Sequence, residues 1–491
     1  MNRFSQSATN LRRNYSLIRS FTYSLIVLAM SACEVLEQIP EANFTPANFY
    51  RNADDAKAAV STVYDPMNSS NMYGQIMWIL QDQATDDAEW GGGRSTANQP
   101  KNDLDRYTFT PATSTFQSLW GTVYQAINRA NTVIARVPGI SMDEKLKAQY
   151  IAEAKFMRGF YYFTLVRLFG GVPLQVAETT SLDNLTIPRA SVDDVYKQVI
   201  QDFTDAEGVL PASFTGIDRG RATRGAAKAF LAKVYLTRGE WAKASAKAKE
   251  VIDSGVYDLW ATFPEAFFVA NKNGKEAVFE VQALSGGVGE GSLMQGFMRP
   301  NFDRVNGIAG FGDDPVTENL YRTYLPTDRR RDVTIRLYSA TSSPAAPASV
   351  LFPGYVFKYL DPTATSNGDG GNNYPIIRYP DVLLMYAEAL NEQGPGNAEA
   401  YTVVNRIRSR AGLPALVGLT QDQFRDAVLL ERRLELAFEG HRWYDLARTK
   451  RLISAMKAQN PAIVVQERHY LFPIPQVDRD VNPLMEQNPG Y

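Results

Sequence analysis

One cysteine and two histidines are all that 491 residues offer as thiolate ligands or imidazole bases. Cys33, His441 and His469 stand in three separate segments. A closed zinc site or a Cys-His nucleophile therefore has too few parts. No G-x-S-x-G elbow is present to seat a hydrolase serine, and both histidines fall in stretches with a structural reading. Positive charge is not in excess either: 51 Lys and Arg face 53 Asp and Glu, for a formal net charge of -2. Four of those arginines (Arg3, Arg12, Arg13 and Arg19) fall in residues 1–32, which carry no acid, so the rest of the chain is more acidic still. A chain so balanced lacks the cationic surplus that displaces phosphate counterions, and no nucleic acid is expected as a partner. Long apolar runs are missing too, since none reaches the roughly 18 residues that a membrane-spanning helix requires.

Aromatic residues are plentiful, with 25 Tyr, 25 Phe and 6 Trp. The amino terminus has a layout of its own. A basic, polar start is followed by the apolar run FTYSLIVLAM at 21–30 and then by small residues, the arrangement of a secretory leader. Met30-Ser31-Ala32-Cys33 resembles the bacterial lipobox, in which the cysteine is diacylated on sulfur and becomes the new amino terminus. On that resemblance residues 1–32 are a lipoprotein signal peptide and Cys33 is a lipid anchor, each acyl CH2 contributing ~0.8 kcal/mol on burial. The lone thiol is then a tether, and residues 33–53, with Pro40 and Pro46, are an extended lead.

Helical periodicity dominates the chain beyond this lead. In residues 145–171 the apolar positions Tyr150, Ala154, Met157, Tyr161, Leu165 and Leu168 recur at three- and four-residue steps, and Gly170-Gly171 then Pro173 end the run. This predicts a long amphipathic helix, paired with an equally periodic segment at 114–137. Residues 224–255 carry Leu231, Ala232, Tyr235, Gly239, Trp241, Ala244 and Ala248 at the spacing of a tetratricopeptide repeat, small residues allowing two helices to approach closely. A looser copy begins at Leu383, and two further helices are expected at 420–438 and 439–457. Residues 255–380 differ: rich in Gly, Pro, Asn and aromatics, with β-prone pieces EAVFEVQAL and GYVFKYL, they read as long loops with a few strands, and loops this long are usually functional.

The motifs VLEQIP (35–40), EAKFMRGFYYFTLVRLFGGVPL (153–174), LLMYAEALNE (383–392), ERRLELAFEGHRWYDLAR (431–448) and LFPIPQVDRDVNPLMEQNPGY (471–491) run nearly end to end. Through them the chain resembles the SusD/RagB family of outer-membrane nutrient-binding lipoproteins. The resemblance implies a mostly α fold, with tetratricopeptide-like helix pairs packed against a loop-rich, partly β region that carries the ligand site. On it, 54–491 is one SusD-like domain with a ligand-binding insert at about 255–380. The implied role is non-catalytic: a glycan is captured at the cell surface and delivered to a SusC-like TonB-dependent transporter, and no cofactor is required. Oligopeptide in place of glycan is the sibling reading. An α/α-toroid glycoside hydrolase, which needs two carboxylates ~5 to 9.5 Å apart, is the alternative from another class.

Residue chemistry supplies the site candidates. Glu431 and Glu435, one helical turn apart, could pass for paired catalytic carboxylates, but the interleaved Arg432 and Arg433 and the apolar Leu434, Ala437 and Phe438 make the stretch structural. Gly440 there allows one helix to end and the next to begin, with Trp443, Leu446 and Tyr444 inward. Asp82, Asp86, Asp87 and Glu89 read as a solvated helix end, with a calcium site as the competitor. The glycine-rich run 286–291 lacks the lysine of a phosphate loop and reads as flexible. Sugar recognition calls for flat apolar rings with polar groups at the rim. Trp90, between acids and a triple glycine, is the first candidate, its burial or exposure being open. Asp87, Arg94 and Asn98 are rim candidates, with Tyr73 on the same side. A second set is Phe297, Arg299, Phe302 and Phe311, in glycine-rich surroundings.

Overall fold

Side-chain caps set several of the helix starts. The computed structural model describes residues 49–90, 98–181, 186–300, 304, 307–312, 315–337 and 352–491. The leader, Cys33 and the extended lead up to residue 48 lie outside the described residues. Helix α1 (Ala53–Tyr64) begins after Asn52, whose side chain accepts from the N–H groups of Asp54 and Asp55. Then come α2 (Gln99–Arg106) and α3 (Ser114–Arg136). Asp143 caps α4 (Glu144–Phe169), Ser191 caps α5 (Val192–Val209) and Thr223 caps α6 (Arg224–Thr237), each worth about 1 kcal/mol. Gly239, at φ 71°, turns the chain into α7 (Trp241–Asp253). Helices α3 to α7 pack each on the next in chain order. Buried Ala226, Ala229, Ala232, Ala244 and Ala248 permit the close approach of α6 and α7 that the repeat spacing requires.

The long helix α4 departs from expectation. It is not amphipathic past Ala152, because α1, α3 and α5 pack around it and nearly every side chain to Phe169 is buried. Phe156 meets Phe203, Phe230 and Phe279 with ring centroids 5.3, 5.4 and 5.0 Å apart. Polar groups on this helix are matched. Arg158 donates to both oxygens of Asp202 at 2.9 and 2.7 Å, and Arg221 to Glu153 at 3.0 Å.

Among its described residues the loop-rich stretch holds three short α-helices, Met294–Met298 (α8), Glu318–Thr323 and Arg331–Thr334, and two two-stranded antiparallel sheets. Strand β1 (Ala277–Val281) pairs with β4 (Tyr374–Arg378), with register shifts after Ala277 and Phe279. Strand β2 (Ile335–Leu337) pairs with β3 (Gly354–Val356). The two expected β-prone pieces hold β1 and β3; β2 and β4, three residues long and proline-bearing respectively, gave no comparable signal. The glycine-rich run is not simply flexible: the N–H groups of Gly286 and Gly287 both donate to one oxygen of Asp369 at 2.9 Å.

From β4 the chain enters α9 (Tyr379–Gln393), α10 (Ala398–Ala411) and α11 (Gln421–Glu435), the last opened by a capping box between Thr420 and Gln423. Helix α9 packs on α7, α10 and α11. Two helices were expected over 420–457, and three form: α11, α12 (Arg442–Arg448) and α13 (Leu452–Gln459). Left-handed backbone at Phe438, Gly440 and Lys450 makes the breaks, at φ 60°, 71° and 57°. A Cβ on Gly440 would lie 2.1 Å from Gln81 Oε1, so any larger residue would have to displace the Gln81 side chain. Trp443, Tyr444 and Leu446 are buried, as the motif implied.

A buried charge network welds the loop-rich stretch to these helices. Arg330 binds Asp328, Glu431 and Glu435 at 2.8, 2.6 and 3.2 Å. Arg378 binds Glu276, Glu435 and Glu439 at 2.8, 3.1 and 2.6 Å. Arg410 joins Glu435 at 2.6 Å and also pairs with Glu276, while Arg408 reaches Glu431 at 2.9 Å and Lys358 reaches Glu439 at 2.7 Å. Burial raises the pKa of Glu435, but Arg410, Arg378 and Arg330 outweigh it and hold the carboxyl at about 2. Glu431 and Glu435 are therefore structural acids, locked in ion pairs with no ligand-facing role. The chain's contacts divide it after Phe49, and Tyr50–Tyr491 is one unit.

Candidate ligand site

The acid cluster ahead of Trp90 is a clamp. Asp82 is fully buried, Asp86 and Asp87 nearly so, which corrects the reading of a solvated helix end. Arg442 donates to both oxygens of Asp86 at 2.8 Å, and Arg433 donates to Asp87 at 2.6 Å. Guanidinium groups thus take both oxygens of Asp86 and one of Asp87. Among the described residues no group of three or more His, Cys, Asp or Glu is arranged to hold a metal. Asp87, 1% exposed, is an anchor of the scaffold, and its place at a sugar-binding rim is withdrawn.

Held in this way, residues 87–89 run beside Pro315–Thr317. The Glu89 N–H donates to Pro315 O and the Thr317 N–H to Asp87 O, both at 3.0 Å. The Thr317 hydroxyl adds a bond to Asp86 O at 2.8 Å. Trp90 comes next in the chain, 8% exposed and so largely buried. Lys101, on the first turn of α2, places Nζ 4.9 Å from the Trp90 ring and 5.5 Å from that of Phe297, a cation–π arrangement. Phe297 lies 5.7 Å from Trp78 and 5.2 Å from Phe311 between ring centroids. The two loops that the sequence offered as separate candidates therefore form one aromatic cluster, with Trp90 and Phe297 sharing a lysine. Phe297 is half-buried and Phe311 is 54% exposed, so the outer ring presents an apolar face to solvent.

Backbone hydrogen bonds shape the loop that carries Phe311. Its N–H donates to Gly296 O at 2.6 Å, Gly310 N–H to Pro300 O at 3.1 Å and Gly312 N–H to Arg299 O at 2.8 Å. A Cβ on Gly310 would sit 1.8 Å from the Arg299 carbonyl oxygen, so the crossing demands glycine. Arg299 itself is 4% exposed and donates through Nη2 to Ile308 O at 2.8 Å. It braces the loop from within, contrary to the expectation that it reads a ligand. Tyr73 is another correction: it is buried against Phe160 and Tyr374, at 6.2 and 5.3 Å, in the interior. Asn98 is half-buried at the start of α2, three residues before Lys101, and makes no capping bond. Arg94 and Phe302 lie outside the described residues.

Sequence reading missed Lys101 and Trp78. Pro100, a favoured first-turn residue, marks a helix start soon after the triple glycine and could have drawn attention to the lysine beside it. It also missed a carboxyl pair. Burial, then the charge of Asp105, pushes Glu89 up to about 7, and burial pushes Asp105 to about 6 against the pull of the Trp90 backbone N–H and Arg106.

Comparison with known proteins agrees with this architecture. The SusD family model matches residues 330–491, and a SusD-like model described as starch-binding and associating with the outer membrane matches 50–236. The chain belongs to the SusD/RagB family. SusD-like protein P2 of Formosa agariphila is 29% identical over 518 aligned positions, covering 96% of this chain and 99% of that protein. A laminarin-binding SusD-like protein of known structure superposes with a TM-score of 0.79 at 29% identity, covering 90% of this chain and all (100%) of the other. A SusD homologue from Bacteroides thetaiotaomicron gives a TM-score of 0.80 at 27% identity, covering 91% and 99%. The SusD-like fold removes the α/α-toroid hydrolase reading. Among the described residues no helix is long and apolar enough to cross a membrane.

Proposed function

We propose that this SusD/RagB protein is a non-catalytic surface lipoprotein, anchored in the outer membrane through Cys33, that captures a glycan and delivers it to a SusC-like TonB-dependent transporter. The observation that carries the reading is the ring cluster of Trp90, Phe297 and Phe311, braced by Lys101 and ending in an exposed phenyl face. A pyranose offers C–H groups on its flat face, and an aromatic ring held rigid gains contact with little loss of side-chain freedom. The buried clamp at Asp86 and Asp87 and the glycine-dependent crossing at Gly310 pre-organise the two loops, so ordering them on binding costs little. The laminarin-binding relative makes a β-glucan the first ligand to try.

The soluble form beginning after Cys33 is to be titrated by calorimetry with laminarin, starch and mixed oligopeptides, and each mixture then checked by chromatography for turnover. Heat with a glycan and no product is the expected result. Product formation would contradict the non-catalytic role, and heat from peptides alone would replace glycan by oligopeptide.

A further inference from the structure

Away from the loop cluster, a cavity of about 760 Å³ opens between the end of α4, the start of α5, α12 and the C-terminal residues 467–490. Its cations differ from those of the buried charge network. Buried arginines such as Arg158, Arg330, Arg378 and Arg432 are paired with carboxylates. Arg167, on the cavity wall, is not. Its guanidinium is sandwiched between the rings of Phe163 and Tyr444, at 3.9 and 3.7 Å, and Nε donates to Phe163 O at 3.1 Å. Among the described residues neither Nη group has a hydrogen-bond partner, and no carboxylate is within ion-pair distance.

Two more cations line the same cavity without a carboxylate partner among the described residues. Lys450 stands over the Tyr470 ring at 4.4 Å, on backbone held at φ 57°. Arg468 is positioned by the Gly490 carbonyl at 2.6 Å. The remaining lining arginine, Arg448, is neutralised by Glu388 and Asp445. Glu467 is the one carboxylate among the lining residues. Trp443, completely buried, also lines the cavity, and its indole N–H has no acceptor among the described residues.

We propose that this cavity is a second ligand site, independent of the capture site at Trp90, that takes an anionic pyranose, either a uronate or a sulfated sugar unit. An aromatic clamp fixes the Arg167 fork, and a fixed fork suits the two oxygens of a carboxylate or sulfate. Tyrosine walls suit the ring that bears the anion. A concave volume in the range of roughly 300 to 1,000 Å³ fits a small ligand, whereas a protein partner requires a broad surface of about 800 Å².

The soluble chain after Cys33 is to be titrated by calorimetry with oligogalacturonate, a sulfated galactan oligosaccharide, a neutral galactan oligosaccharide, sodium sulfate and an acidic peptide. Wild type is compared with Arg167→Gln, Lys450→Gln and Trp90→Ala. The expected result is heat with one or both anionic sugars that weakens with salt and falls about tenfold or more in the Arg167 and Lys450 variants but not in Trp90→Ala. Which anionic sugar binds separates uronate from sulfate ester. If Arg167→Gln fails to fold by circular dichroism, the exposed Lys450 carries the test. Absence of heat with both anionic sugars, loss only in Trp90→Ala, equal binding of inorganic sulfate, or tighter binding of the acidic peptide would each overturn the proposal. Failure of Trp90→Ala to affect neutral-glycan capture would bear on the first site alone.

Discussion

The charge weld and the ring cluster use their side chains in opposite ways. In the weld, the five cations Lys358, Arg330, Arg378, Arg408 and Arg410 meet the five carboxylates Glu276, Asp328, Glu431, Glu435 and Glu439, all of them buried or nearly so. Every charge is answered from inside the protein, which leaves none for a ligand. In the cluster, rings pack in series from Trp78 outward and the last of them, Phe311, is left half in water. The ion-paired side chains of the weld are thus the least able to touch a ligand, and the loops that carry the ring cluster are positioned to do so.

Arg378→Ala is expected to break this contrast most severely. It would strand Glu276, Glu435 and Glu439 without their shared partner, at a cost of about 3 to 5 kcal/mol. Denaturant unfolding measures that loss, and a change below about 1 kcal/mol would show that the weld is not a unit. Acid should act on the same place. With the Glu435 carboxyl held at about 2, against 4.5 when unfolded, the protonated form is favoured by unfolding. Its stabilising contribution is complete above the unfolded value and is lost as pH falls from about 4.5 towards 2. Thermal melts between those limits should fall steeply in wild type and less so in Glu435→Gln.

Gly440→Ala comes next. It adds a methyl group at φ 71° against Gln81 Oε1 and should cost about 1 to 3 kcal/mol, read as a lowered melting temperature with glycan affinity intact. The smallest effect is expected near the ring cluster. Burial pushes the Glu89 carboxyl up to about 7, so the folded state holds a proton that the unfolded chain gives up near 4.5. Stability should therefore drop as pH rises from about 4.5 to 7, the reverse of Glu435. Because Glu89 is partly exposed, screening limits the effect to about 1 kcal/mol, and Glu89→Gln should flatten the melting-temperature profile in that window.

Helices were readable wherever caps and small-residue spacing agreed, as at Thr223 with Ala226, Ala229 and Ala232. Burial was not readable for α4, because a helix covered on all sides shows periodicity without having a solvent face. The break at Lys450 escaped notice since nothing local marks a lysine for left-handed backbone. In the site, the chemistry of Trp90, Phe297 and Phe311 was visible in composition. Their meeting was not, because it depends on Lys101, which a separate helix brings between the rings, and on backbone pairing between 87–89 and 315–317. Asp87, Arg299 and Tyr73 misled for one shared reason: a polar or aromatic side chain near glycines looks exposed in sequence, whereas each has a buried or backbone partner that local sequence does not reveal, in Arg433, Ile308 and Tyr374 respectively.

Phe311→Ala tests the central claim most directly, because that ring is exposed and its loss should change stability by no more than about 0.5 kcal/mol. Calorimetric titration of wild type and variant with laminarin oligosaccharides should show affinity reduced about 10- to 30-fold in Phe311→Ala, a loss of about 2 kcal/mol, with an unchanged melting temperature. Equal affinity in the two proteins would contradict capture at the ring cluster.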